Sequence, residues 1–312
     1  MIYCMGKSLL TMRTIIHLSI LLFGWLAFSC QSASDKSVPE RTVVTVDLYE
    51  GEDLDPLGGA DAYRGKGNNA ESPYFHHLDY YRLKSNDTLL ILPHFPTMQQ
   101  TTEWSCGCVA ALLTLRYLGM DPEATEYSLA VAMGSHVDRK VEGALPGSAT
   151  QYLDYGTKLE KMYHYFDHLK GVCVVETSFR GRYRQEDIIR EGDPFPPCDR
   201  GNLFPTFPSV EQFAAWLENH LRARRPVIAE WSDWDGHWVC IIGLDNNGTP
   251  DFRGDDVLIL ADPYDTMDHW QDGYTAVPID RFFYLWKDRA IAPKPYQLQP
   301  FIVVERCWME KS

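Results

Sequence analysis

The chain has 312 residues, of which 45% are hydrophobic, and a formal net charge of −14. The hydrophobic content indicates a globular protein and excludes an intrinsically disordered one, and the length suffices for one large domain with extensions. A strongly acidic surface repels nucleic acid and anionic lipid headgroups, so we expect neither as a ligand. The eight cysteines form no Cys-x-x-Cys pair and no metal-knuckle spacing, so we expect no metal site.

The first 29 residues have the features of a secretory signal. Lys7 and Arg13 precede an apolar run over residues 15–28, which is too short for a membrane span. The run ends in Ala-Phe-Ser-Cys, which resembles a bacterial lipobox. We therefore expect a lipoprotein-type signal peptide over residues 1–29 and lipidation of Cys30, which would anchor the protein to the outer membrane or cell surface.

The remainder is predicted to contain a short linker and one domain. Residues 30–40 are polar and would form a tether, so that the membrane is contacted through the lipid alone. Residues 41–312 would form a single domain with an N-terminal extension over residues 41–95 and an insertion over residues 179–208. The insertion is rich in Arg and Pro, and a long loop of this kind is usually functional or disordered.

Residues 100–119, QTTEWSCGCVAALLTLRYLG, predict a buried helix with a cysteine on its first turn. Ser105 is a favourable N-cap residue and Gly119 a favourable stop. A helix that is apolar on most faces lies inside a domain. Cys106 would then lie at the positive end of the helix dipole, where a thiolate is stabilised. The alternative is that Cys106 and Cys108 are small core residues.

The elements around this helix predict an α+β fold with an antiparallel sheet. Helices come first in the chain and strands joined by turns follow. A capping box from Ser209 to Gln212 opens one of the helices. The predicted helices cover residues 122–133, 148–155 and 209–225, and the predicted strands cover residues 41–48, 88–92, 171–177, 226–231, 237–244, 257–261 and 301–305. A disulfide such as Cys173–Cys198 could form in an oxidising compartment.

Two further residues could complete a catalytic site around Cys106. His237 begins one strand and Asp262 ends the next, so both would lie at one edge of the sheet if these strands are neighbours. Asp262 could then orient His237 as the base for Cys106. Gln100 and the backbone N–H of Cys106 are candidate oxyanion donors, with Gln99 as a competitor of Gln100. Each residue also has an ordinary structural alternative. His237 could be a structural histidine, Asp262 could open an Asp-Pro turn, and Gln100 could be a solvated loop residue.

These segments together resemble a known family. The pattern Q-x5-C-G-x-x-A, a helix ending in YLG, GHWVCIIGLD and LADPYD resemble the papain-like cysteine peptidases that process bacteriocin leaders. The resemblance covers residues 95–290. It implies a papain-like cysteine peptidase fold, in which a helical lobe with a central nucleophile helix packs on an antiparallel β-sheet.

The resemblance also implies roles for individual residues. Cys106 would be the nucleophile, His237 the base, Asp262 the orienter and Gln100 the oxyanion donor, with a peptide or protein as substrate and no cofactor. Cys108 would pack in the core. Ser105 departs from the family, which commonly has Asp there. Two alternatives to a peptidase remain, namely an acyltransferase that uses the same triad and a non-catalytic peptide-binding module.

Aromatic residues next to the motifs could line a cleft or could be core residues. They are Trp104, Trp234, Trp238 and Tyr264.

Overall fold

The structure is a computed structural model that describes residues 53–55, 59–60, 72–75, 77–135, 156–179, 207–233, 236–287 and 299–307. All of them belong to the second of the two units, Met1–Val43 and Val44–Ser312, into which the chain divides. The expected signal peptide, the tether, Cys30, the strand over residues 41–48, the helix over residues 148–155 and nearly all of the insertion lie outside the described residues.

The described residues form an α+β fold of five α-helices and seven strands. The helices are α1 (Cys106–Leu118), α2 (Glu126–Met133), α3 (Leu159–His168), α4 (Val210–Arg222) and α5 (Ile279–Leu285). The strands are β1 (Leu89–Ile91), β2 (Val172–Thr177), β3 (Val227–Trp231), β4 (His237–Asp245), β5 (Val257–Ala261), β6 (Tyr274–Pro278) and β7 (Phe301–Arg306). Tyr80–Arg82 is a short 3-10 helix.

All seven strands join one antiparallel sheet, as the sequence predicts. The order is β2-β7-β3-β4-β5-β6, and β1 pairs with β4 off this path. The last strand thus lies between β2 and β3. β4 and β5 are neighbours, with Cys240 opposite Ala261, so the start of β4 and the end of β5 lie at the same edge of the sheet.

The buried helix expected around the CG motif is α1. Every residue from Cys106 to Leu115 is buried, and the helix packs against β4 and α2. Burying each of its leucine side chains contributes about 2 kcal/mol. The helix ends at Gly119, whose φ of 64° is the left-handed conformation that favours glycine.

The predictions for three helices and one strand need correction. α2 begins at Glu126 and not at Pro122, because Thr125 caps it in a capping box with Ser128. α3 was not predicted from the pattern. β6 and α5 were also missed, since the segment that leads into them, residues 262–273, is rich in Asp and indicates a loop. The predicted start of α4 is confirmed, because Ser209 accepts a hydrogen bond from the backbone N–H of Gln212.

The suggested Cys173–Cys198 disulfide is wrong, because Cys173 is bonded to Cys307. β2 and β7 are antiparallel neighbours, with Cys173 opposite Glu305, and this pairing brings the Cα atoms of the two cysteines to 5.5 Å. The two cysteines are 134 residues apart in the chain. The pairing therefore follows from the position of the last strand in the sheet, which local sequence does not reveal.

None of the helices in the described ranges combines the length and the apolar character needed to cross a membrane.

Candidate active site

Three of the predicted site residues meet at the N-terminus of α1. The imidazole Nε2 of His237 lies 2.6 Å from Asp262 Oδ1, and the Cys106 thiol lies close enough to the same imidazole to help raise its pKa. Cys106 is on the first turn of α1, His237 is the first residue of β4, and Asp262 directly follows β5. The pairing of β4 with β5 therefore holds the imidazole and the carboxylate, and the packing of α1 on β4 adds the thiol.

The three side chains are almost completely buried, with exposed fractions of 6% for Cys106, 4% for His237 and 2% for Asp262. Burial alone would lower the pKa of His237, but the charge and hydrogen bond of Asp262, together with Cys106, raise it to about 10. Burial alone would raise the pKa of Asp262, but His237 and the backbone N–H of Tyr264 hold it below its ordinary value. The imidazolium–carboxylate pair is therefore the stable form at neutral pH.

Cys108 and Cys240 differ from Cys106 in their surroundings. Both are fully buried, and burial raises the pKa of each thiol to about 12. Cys108 Sγ lies 3.4 Å from Thr157 Oγ1, and Cys240 donates to the carbonyl oxygen of Ala110. Among the free cysteines of the described residues, Cys106 is therefore the one that lies beside a histidine.

Gln100, the fourth predicted residue, is buried in the loop before α1. Its Nε2 donates to the carbonyl oxygen of Thr102 at 2.6 Å. A side-chain amide nitrogen has two hydrogens, so this bond leaves one N–H. Its Oε1 has no hydrogen-bond partner in the part of the chain that the structure describes. The role of Gln100 as an oxyanion donor stays a prediction.

The expected side-chain cap at Ser105 is absent. Ser105 occupies the N-cap position of α1, but its hydroxyl forms no hydrogen bond to the first turn. The hydroxyl instead donates to Glu126 and accepts from Thr102. Since the first N–H groups of a helix have no acceptor inside it, the backbone N–H of Cys106 lies where a developing negative charge would be stabilised.

A buried carboxylate that the sequence analysis missed organises this loop. Glu126, the first residue of α2, accepts from the backbone N–H and the hydroxyl of Thr101, each at 3.0 Å, and from the hydroxyl of Ser105. It is 4% exposed. Its donors belong to Thr101 and Ser105, the first and last residues of the segment between Gln100 and Cys106. Glu126 therefore holds both ends of that segment. A glutamate at the start of a helix is common, and this burial has no local signal.

Glu126→Ala is expected to lower both stability and activity. The substitution leaves three buried donors without an acceptor, which costs about 3 kcal/mol. Glu126→Gln keeps one acceptor oxygen and should restore most of the stability. Urea denaturation and the rate of Cys106 alkylation by iodoacetamide are the measurements, with Glu123→Ala as a matched control at an exposed site nearby. Equal alkylation rates in Glu126→Ala and the wild-type protein would contradict this role.

The aromatic residues near the motifs are divided between core and site. Trp104 and Trp238 are core residues with exposed fractions of 1%, and Trp238 donates to the carbonyl oxygen of Thr157. The ring of Tyr264 lies edge-on to His237, and its hydroxyl donates to Glu103 at about 3 Å. Trp234 lies outside the described residues.

A short part of the predicted N-terminal extension packs on the same loop. The backbone N–H groups of Leu54, Gly59 and Ala60 donate to Thr101 Oγ1, Glu103 Oε1 and the Gln100 carbonyl oxygen. Gly59 has a φ of 79°, and an added Cβ would lie 2.4 Å from the carbonyl carbon of Thr101. Glycine is therefore required for this close approach.

No group of three or more His, Cys, Asp or Glu side chains within the described ranges is arranged to hold a metal ion. Comparison of the chain with protein-family models, with curated proteins and with solved structures found no match.

Proposed function

We propose that this protein is a cysteine peptidase that hydrolyses peptide bonds through a thioacyl-enzyme intermediate. The observation that carries the proposal is the alignment of Cys106, His237 and Asp262 at the N-terminus of a buried helix. A thiol beside an imidazole that a carboxylate orients is the arrangement that nucleophilic catalysis requires. The helical layer on an antiparallel sheet is also the layout of the papain-like fold that the motifs resemble, and we propose that fold here.

The chemistry follows from the charges of the site. The raised pKa of His237 favours an imidazolium at neutral pH, which stabilises a thiolate on Cys106. The thiolate attacks the carbonyl carbon of the substrate, and His237 gives its proton to the amine as the C–N bond breaks. Water then attacks the thioester, His237 accepts a proton from it, and the C–S bond breaks to release a carboxylic acid. The N–H of Cys106 and the amide of Gln100 would stabilise the oxyanion in both steps.

The proposed location is the bacterial cell envelope. The N-terminal segment has the pattern of a lipoprotein signal that ends at Cys30. The Cys173–Cys307 disulfide is consistent with an oxidising compartment. Metabolic labelling with a fatty acid should mark the wild-type protein and not Cys30→Ala.

Mass spectrometry of a peptide library incubated with the protein tests the proposed reaction. We expect cleaved peptides with free carboxyl termini. We also expect an acyl adduct on Cys106, which is detected in a larger fraction of the protein when the reaction is stopped in acid. Products that form only when an amine is added would instead identify an acyltransferase. A protein that binds peptides and cleaves or transfers none would be a binding module, and this result would overturn the peptidase proposal.

A further inference from the structure

A cavity of about 510 Å³ lies beside β6, and Cys106, His237 and Asp262 are not among its lining residues. Asp233 is part of its lining, and the charges of His237 and Asp262 both act on the Asp233 carboxyl group. Since Trp231, two residues before Asp233, is opposite His237 in the sheet, the cavity lies near the candidate triad. Its volume is in the range of pockets that hold a ligand group. The other lining residues are Phe75, Tyr80, Thr266, Met267, Asp268, Thr275, Ala276, Val277, Pro278 and Arg281.

The cavity has more acidic than basic groups in its wall. Its charged lining residues are the carboxylates of Asp233 and Asp268 and the guanidinium of Arg281. Arg281 acts on Asp233 and lowers its pKa, although burial has the larger effect and raises it. Asp268 forms no salt bridge with Lys or Arg among the described residues, and burial raises its pKa although the neighbouring His269 lowers it. Asp268 is thus the acidic group that lacks a strong cationic partner.

Further carboxyl groups lie close to Asp268. Burial raises the pKa of Asp265 well above its ordinary value and that of Asp272 to about 8, and Asp268 contributes to both shifts. Asp265 is 1% exposed, and its Oδ1 has no hydrogen-bond partner among the described residues. Burial also raises the pKa of Asp268. Because buried carboxylates without a counter-charge are costly, a cation that entered the cavity would be stabilised.

The rest of the wall suits an apolar chain that ends in a charge. Met267, Val277 and Pro278 are apolar lining residues, and Phe75 is 46% exposed beside them. Lysine and arginine side chains bury their methylene groups against apolar surfaces and keep the charged end with a polar partner. An exposed aromatic ring also attracts such a cation.

We propose that this cavity is the subsite for a lysine or arginine side chain of the peptide substrate, with Asp268 as its charge partner. Its role as a subsite rests on the proposed function. The binding of a cationic side chain does not, so the two can fail separately.

Peptide binding to the Cys106→Ala protein tests the cavity without turnover. The probes are Ac-Ala-Ala-Ala-Lys-Ala-Ala-Ala-NH2 and the same peptide with norleucine in place of lysine, titrated by calorimetry. We expect the lysine peptide to bind about tenfold more tightly, as for a hydrogen bond between charged groups. Asp268→Asn should remove that preference, since it keeps the acceptor for the backbone N–H of Trp270 and loses the charge.

Two further variants serve as controls in the Cys106→Ala protein, and each has an expected direction of change. Arg281→Gln should increase the preference for lysine, because Asp233 loses its cationic neighbour, and misfolding would not produce this gain. Asp251→Asn removes the same charge as Asp268→Asn at an exposed turn beyond the other end of β4, and should change nothing. Equal binding of the two peptides, tighter binding of a glutamate peptide, or an unchanged preference in Asp268→Asn would overturn the proposal.

A kinetic measurement distinguishes the specificity of the cavity from the cleavage reaction itself. The wild-type protein is assayed with a positional library of quenched peptides, and cleavage should be fastest with lysine or arginine at one position. Cleavage without a basic preference would leave the peptidase proposal standing and overturn this one. Lysine-selective binding that depends on Asp268, without cleavage of any peptide, would support the cavity and refute the peptidase.

Discussion

Cys106→Ala should abolish peptide hydrolysis, with a loss of about ten-thousand-fold or more, because the proposed reaction has no nucleophile without this thiol. Cys108→Ala should retain most of the activity and lose about 1 kcal/mol of stability, since it removes a small buried group. Initial rates on a quenched peptide and urea denaturation are the measurements. Activity that survives in Cys106→Ala would rule out Cys106 as the nucleophile.

The two cysteines differ in their environments and not in their local sequence. Both lie on the first turn of α1. Cys106 is beside His237, whereas Cys108 is fully buried against Thr157, and burial raises the pKa of its thiol to about 12. Brief treatment with iodoacetamide at pH 6.5 should therefore label Cys106 and leave Cys108 and Cys240 unmodified. Mass mapping that found the label on Cys108 would transfer the assignment to that residue and keep the class of reaction.

Asp262→Asn should lower the rate of hydrolysis at pH 7 roughly ten-thousandfold, by analogy with the loss of the carboxylate from a serine-protease triad. Without the carboxylate, the largest contribution that opposes burial is lost, and the pKa of His237 falls below about 10. A smaller fraction of the imidazole then carries the proton that the leaving amine needs. The alkaline limit of activity should lie near pH 10 in the wild-type protein and at a lower pH in the variant.

The same pair predicts how stability depends on pH. The pKa of His237 is raised on folding, so its contribution is complete below the unfolded value of 6.5 and is lost as pH rises through about 10. The pKa of Asp262 is lowered, so its contribution is lost only as pH falls below the unfolded value of 3.8. Asp262→Asn should therefore cost roughly 3 kcal/mol between pH 4 and 6.5, and progressively less toward pH 10.

Urea denaturation of the wild-type and Asp262→Asn proteins at pH 5.5 and pH 10 measures this difference. A matched control is Glu176→Gln, because Glu176 lies 3.4 Å from the buried His220 outside the candidate site. Burial lowers the pKa of His220 despite this carboxylate. Because His220 is not part of the candidate site, Glu176→Gln should leave the alkaline limit of activity unchanged. A stability difference between wild type and Asp262→Asn that grew from pH 5.5 to pH 10 would contradict the imidazolium–carboxylate pair.

Local sequence patterns predicted the elements that carry the candidate triad. The run from Val109 to Leu115 is apolar except for Thr114, and a run of this length and composition is typical of a buried helix. β4 and β5 are short apolar strands joined by a turn, so their antiparallel pairing follows from their proximity in the chain. This pairing alone brings His237 and Asp262 to one edge of the sheet.

The elements that local patterns missed lie where composition and structure disagree. β6 follows an acidic, aromatic segment that indicates a loop, and α5 has only seven residues. Glu126 reaches the Thr101 loop across 25 residues, and an isolated glutamate at a helix start does not reveal such a contact. The burial of Ser105 under this carboxylate likewise replaced the cap that its sequence position predicts.

Periodicity and the order of neighbouring strands are enough to predict the α+β class, the antiparallel sheet, the buried helix and the residues of the candidate triad. The insertion of β7 between β2 and β3, the Cys173–Cys307 disulfide, the buried Glu126 and the acidic cavity at Asp268 are visible in the folded chain alone. Each of these depends on contacts between segments distant in the chain, whose energies come from burial and charge and leave no periodic pattern in the sequence.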